Sequence, residues 1–101
     1  MNITPHQLKQ LALHLGLAEV TIRGDKVMYH KPGYEFHRLY HPNNNAEQSQ
    51  DIQERLKISV RPTHTNSWDS CIDLDRHVVS YGDTLRDAVL NVAVKYVEII
   101  K

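Results

Sequence analysis

The chain has 101 residues, with twelve Lys and Arg, twelve Asp and Glu, 41% hydrophobic side chains and a single cysteine, the make-up of one soluble domain. Its formal net charge is zero, and Lys9, Arg23, Lys26, Lys31 and Arg38 are scattered rather than lined along a phosphate path, which argues against nucleic acid as the main partner. Cys71 has no intrachain disulfide partner, no apolar run approaches the ~20 residues of a membrane span, and Met1–His6 lacks signal-peptide character, so the expected location is the cytoplasm.

The first element is announced by its cap. Thr4 suits an N-cap, Pro5 suits the first helical position, and Gln7 completes a capping box. Leu8, Leu11, Ala12 and Leu15 form the apolar stripe, and Gly16 stands at the C-terminal stop, which predicts a helix over Pro5–Leu15. Glu19–Arg23 and Lys26–His30 then read as strands of a hairpin whose Gly24-Asp25 loop suits a type II′ turn. After Pro32-Gly33, the alternation in Tyr34–Tyr40 predicts a third strand.

His41-Pro42-Asn43-Asn44-Asn45 is a break, with Asn44 or Asn45 placed to cap the next helix. Ala46–Leu56 carries only Ala46, Ile52 and Leu56 as apolar residues, so it reads as a mostly wet helix packed along a thin seam. Beyond it the period becomes two. Ile58, Val60 and Pro62 alternate with polar neighbours, Trp68, Ser70, Ile72 and Leu74 do the same, and His77–Tyr81 supplies a further strand after a turn at Asp75-Arg76. This is the pattern of an antiparallel meander with one buried face.

From Thr84 to Ile100 the period returns to that of a helix. Leu85, Ala88, Val89, Val92, Ala93, Tyr96, Val97 and Ile100 form one wide stripe, with Asp83 as the expected N-cap. Such a stripe must lie on a sheet, and the meander supplies one. The expected fold is a single α+β domain, a mainly antiparallel twisted sheet with the N- and C-terminal helices packed on it and a short polar helix between, in the manner of an α/β/α sandwich.

The run Tyr40-x-Pro42-x-x-Asn45, Ile52-x-x-x-Leu56, a three-stranded meander and then Asp83-Thr84-Leu85-x-x-Ala88 with Ala93 resembles the phage ABA sandwich domain family. The likeness covers about residues 40–100. It implies layered helices and sheet and a phage or prophage origin, and it brings no activity with it. By analogy, small phage proteins of this size bind a host component, defence proteins among them, or a signalling molecule.

Candidate chemistry is sparse. Seven histidines invite a test for metal, but His37 and His41 on an extended strand would sit about 13 Å apart, too far for one ion. His30 and His37 have the spacing to meet across the Pro32-Gly33 turn. Asp69, Asp73 and Asp75 share one strand face with Cys71, which suggests either a Mg²⁺-dependent nuclease or, better in keeping with the alternation, a charged outer face paired with Lys57 and Arg61. Nothing in the sequence activates Cys71. The glycines are accounted for by turns, so no phosphate loop is present.

The densest stretch without an assigned role runs from His30 to His41, and its binding candidates are Tyr34, His37, Arg38, Tyr40 and His41. Tyr and Arg are enriched in interface hot spots and also stack on planar ligands. The first expectation is a non-catalytic module without a cofactor that binds a host protein, itself dimeric or complexed, through an exposed patch with Tyr34, Phe36, Arg38 or Tyr40. The alternative is a small-ligand or nucleotide binder, whose mark would be a pocket where aromatics converge with Arg38, Arg61 or histidines. The nuclease would need Asp69 and Asp73 unpaired and convergent with another carboxylate.

Overall fold

A computed structural model describes residues 3–73 and 75–100, less the side chains of residues 75 and 76. The expected places of Leu74 on its strand and of the Asp75 carboxylate in the acidic row therefore lie outside the described residues. The α+β class holds. Among the described residues there are three helices and two antiparallel three-stranded sheets.

Helix α1 (Pro5–His14) begins as its cap requires, with the Gln7 N–H donating to Thr4 Oγ1 at 3.2 Å and the Thr4 N–H to Gln7 Oε1 at 2.9 Å. Gly16, at φ +80°, reverses the chain after Leu15. Its N–H reaches the Leu13 carbonyl at 3.0 Å, and the Leu17 N–H reaches that of Ala12 at 3.1 Å, closing a Schellman motif.

Strands β1 (Ala18–Arg23) and β2 (Lys26–His30) pair antiparallel through a turn in which Gly24 takes φ +67°. The register slips between Ala18 and Thr21, where Glu19 adopts φ +51°. Such a bulge leaves one residue unpaired and re-aims its side chain. Strand β3 is only Arg38–Leu39, facing Tyr29 and Met28 of β2. The strand expected over Tyr34–Tyr40 is thus corrected to two residues. Pro32 and Gly33 (φ +90°), with the Tyr34 N–H on the Lys31 carbonyl at 3.1 Å, make a type II turn that lifts residues 34–37 off the sheet.

Asn45 caps helix α2 (Ala46–Arg55), its side chain accepting from the Gln48 N–H at 3.0 Å. Ile52 and Leu56 are buried as expected, but Ala46 is exposed, and Gln48 and Ser49 take the remaining inner positions. Strands β4 (Ile58–Pro62), β5 (Trp68–Ile72) and β6 (Asp75–Gly82) form the meander, with Ile58 against Ile72 and Ser70 against Ser80. The third strand is longer than expected: the backbone of Asp75 already pairs with Ile72, so no turn falls at residues 75–76.

Helix α3 (Leu85–Ile100) follows a close approach. A Cβ on Gly82 would lie 2.5 Å from the Ala88 nitrogen, so only glycine lets β6 run against the first turn of the helix. The cap is Thr84 rather than the expected Asp83, since Thr84 Oγ1 accepts from the Asp87 N–H at 3.1 Å. Ser70 Oγ donates to the Ala88 carbonyl at 2.7 Å and ties β5 to the same turn.

The strands do not form one sheet. Helix α1 packs on β1 and β2 and against α3, while α3 packs on β4, β5 and β6 and against α1 and α2, so the helices lie between the two sheets. This explains why burial on α3 exceeds one stripe: residues 88–94 are all buried, from both sides. The exception at the far end is Ile100, assigned to the stripe by spacing but exposed together with Ile99. Val89, Val92 and Ala93 keep no exposed surface, and each buried Val contributes roughly 1.5–3 kcal/mol over an exposed one. On the outer margin of β6, the carbonyls of Val79 and Tyr81 accept from Lys95 Nζ and the Asn91 amide of α3, both at 2.8 Å.

Candidate functional site

The segment from Lys31 to His41 is held at its near end by β2, where His30 pairs with Ala18, is fixed again at its far end, and is open in the middle. At its far end the Tyr40 N–H donates to the Val27 carbonyl at 2.8 Å, extending the ladder past Leu39. Gln48 of α2 clamps the same stretch. Its side-chain oxygen accepts from the His41 N–H at 2.8 Å, and its side-chain nitrogen donates to the Leu39 carbonyl at 2.9 Å. Buried polar backbone needs such partners, and α2 supplies them. Pro42, fully buried, fixes the exit.

Between these anchors the chain displays its side chains. Phe36 is 76% exposed and Tyr34 50% exposed. The Arg38 guanidinium lies 5.0 Å from the Tyr34 ring centroid and Lys31 Nζ lies 5.2 Å from it, so two cations flank one aromatic ring. Two of the sequence candidates, Tyr34 and Arg38, are therefore in contact, although a strand over Tyr34–Tyr40 would have held them apart.

His37 has different partners. Its ring meets His30 edge-on with centroids 5.7 Å apart, the meeting expected across the Pro32-Gly33 turn. The bulged Glu19 carboxylate faces both, at 3.7 Å from His30 Nδ1 and 4.0 Å from His37 Nε2. Among the described residues no group of three or more His, Cys, Asp or Glu side chains is arranged to hold a metal ion.

Tyr40, which the sequence pattern assigns to a binding surface, is a core residue, only 3% exposed. Its ring stands edge-on to Tyr29 at 5.7 Å. Among the described residues its hydroxyl has no hydrogen-bond partner. Burial first, then the Asp51 carboxylate and Tyr29, raise the pKa of that hydroxyl far above the ordinary phenol value, against an opposing pull from Arg55. His41 is half-buried and contributes through its backbone.

Beside this segment lies a cleft of about 480 Å³, walled by Tyr29, Arg38 and Tyr40 on the sheet and by Gln48, Asp51 and Arg55 on α2. Sequence reasoning misses Tyr29, Gln48 and Arg55. A signal exists for Gln48: it precedes Ile52 and Leu56 by four and eight residues, so it continues their seam.

The acidic strand face is occupied by local pairs. Asp69 Oδ2 lies 3.9 Å from Arg61 Nε, and Asp73 accepts from Ser59 Oγ at 2.6 Å. Arg61 thus pairs as expected. Lys57 meets Asp73 through backbone instead, its carbonyl accepting the Asp73 N–H at 2.8 Å. Cys71 is a free, half-buried thiol opposite Ser59 and Val79.

No protein-family model, curated protein or solved structure compared with the chain matches it.

Proposed function

We propose that the chain is a non-catalytic binding module that docks onto another protein through the Tyr34–Phe36 projection. The observation that carries the reading is Phe36, 76% exposed beside half-exposed Tyr34 on a segment anchored at both ends. A large aromatic left in water on an ordered loop costs solvation and gives no core packing, whereas it is a strong anchor once a partner covers it. Arg38 beside it, which pairs with no carboxylate among the described residues, favours a partner pocket with a carboxylate at its rim. The likeness of residues 40–100 to phage ABA sandwich domains supports a phage or prophage origin, and with it a host protein, of a defence system or otherwise, as the partner.

The test compares the intact chain with Phe36→Ser and Tyr34→Ala as bait in host lysate, followed by titration of the purified captured protein. Both variants replace exposed side chains and leave the core untouched. Loss of about 2 kcal/mol or more of binding free energy on Phe36→Ser, some thirtyfold in affinity, is the expected result. A partner that binds both variants as well as the original chain overturns the reading.

A further inference from the structure

The cleft between the first sheet and α2 shares Arg38 with the docking projection, and its other features are not used there. Its charges are mostly spoken for. Lys31 Nζ lies 3.2 Å from Glu47, Arg55 Nε lies 2.9 Å from Asp51, and Arg55 Nη1 donates to the Leu15 carbonyl at 2.7 Å. Glu54 accepts from Gln50 at 3.2 Å. Arg38 differs: it lies on the Tyr34 ring and, among the described residues, pairs with no carboxylate. A stacked guanidinium keeps the N–H fork at its edge available for a planar oxyanion.

The second feature is the Tyr40 hydroxyl. It is an O–H donor in a residue only 3% exposed, without a partner among the described residues. Leaving such a group unpaired costs roughly 1–3 kcal/mol, so its retention calls for a reason. Arg38 and Tyr40 are two residues apart on extended chain and so face the same side, and Arg38 sits opposite Tyr29 on β2. Arg38, Tyr29 and Tyr40 thus line one cavity of about 480 Å³, within the size range of small-molecule sites, with the orphan hydroxyl screened just behind its wall.

We propose that this cleft binds a small aryl oxyanion, a planar ring bearing one carboxylate or phosphate. The anionic group takes the Arg38 fork, the ring lies against Tyr29 and Tyr40, and a ligand acceptor reaches the Tyr40 hydroxyl as the exposed Arg55–Asp51 pair gives way. Carboxylate and phosphate share this chemistry, and the probes separate them.

The experiment titrates the full chain with 2-naphthoate, 2-naphthyl phosphate and, as neutral control, 2-naphthalenemethanol, following backbone amides and the Arg38 Nε–H by NMR. The expected result is saturable binding of at least one oxyanion, with shifts centred on Tyr29, Arg38 and Gln48, at least tenfold weaker in Arg38→Gln and about fivefold weaker in Tyr40→Phe. Phe36→Ser leaves this binding unchanged, which separates it from the docking reading. Tyr40→Phe keeps the ring and removes only an unpaired hydroxyl, so it reports on the site in a folded chain. Shifts that do not saturate, that centre elsewhere, that the neutral control reproduces, or that persist in Arg38→Gln overturn the proposal.

Discussion

Gln48 and Leu39 are joined by a hydrogen bond of 2.9 Å from a helix side chain to a strand-end carbonyl. The same amide accepts from His41 at 2.8 Å, so one side chain satisfies two backbone groups of the segment that carries the candidate site. Gln48→Leu fills the space but orphans both. The expected loss is about 1–3 kcal/mol in urea unfolding, with faster hydrogen exchange at the His41 amide. An unchanged exchange rate there would show that α2 does not hold the segment.

Gly82 has no room for a methyl group: the added Cβ would stand 2.5 Å from the Ala88 nitrogen and 2.7 Å from the Asp87 carbonyl carbon. Both are backbone atoms of a helix turn packed on its sheet, so neither yields cheaply. Gly82→Ala is expected to cost about 1–3 kcal/mol, read as a lower urea midpoint at unchanged m-value.

The N-terminus of α3 offers a sharp comparison. Thr84→Ala removes the side-chain acceptor of the Asp87 N–H and is expected to cost about 1 kcal/mol. Asp83→Ala, one position earlier, is expected to stay within about 0.5 kcal/mol of the original. The reverse ranking in urea melts would move the cap back to Asp83.

Tyr40 gives the stability curve its high-pH arm. Its hydroxyl holds its proton in the folded state to a pH far above the ordinary phenol value of about 10, chiefly because it is buried. The unfolded chain loses that proton first, so above about pH 10 the folded state binds more protons and stability falls as pH rises. The stabilisation is fully present below about pH 10, and beyond it the fall from this one group approaches about 1.4 kcal/mol per pH unit. Tyr40→Phe removes this component of the slope. At neutral pH the same change deletes an unpartnered polar atom and is expected to be neutral or stabilising.

Signals that act within a single turn are legible in the residues themselves. Thr4 with Gln7, Gly16, the Gly24 turn and Asn45 each determine their element through hydrogen bonds spanning a few residues, and each appears where its chemistry demands. Alternation without a partner strand misleads. Tyr34–Tyr40 has the period of a strand, but only Arg38 and Leu39 find backbone to pair with once the Pro32-Gly33 turn has carried the chain away. Asp83 and Thr84 are both competent caps by residue type, and the local pattern does not choose between them; the structure has Thr84 accept from the Asp87 N–H. Two sheets instead of one follow from how the helices stack, which periodicity does not report.

The candidate site divides the same way. The meeting of His30 with His37 follows from spacing across one turn, whereas Arg38 reaches the Tyr34 ring only because residues 34–37 leave the extended path that their alternation suggests. The burial of Tyr40 does not, because it depends on α2 closing over the sheet.

Lys95 and Asn91 occupy the outward carbonyls of Val79 and Tyr81. Two acceptors on that margin of the second sheet are therefore already taken, which makes it a poorer template for a foreign strand, the usual seed of fibrils and of edge-joined assemblies. A Lys95→Ala, Asn91→Ala double variant would free both carbonyls, and a greater tendency to aggregate than the original chain, read by light scattering, is the expected consequence.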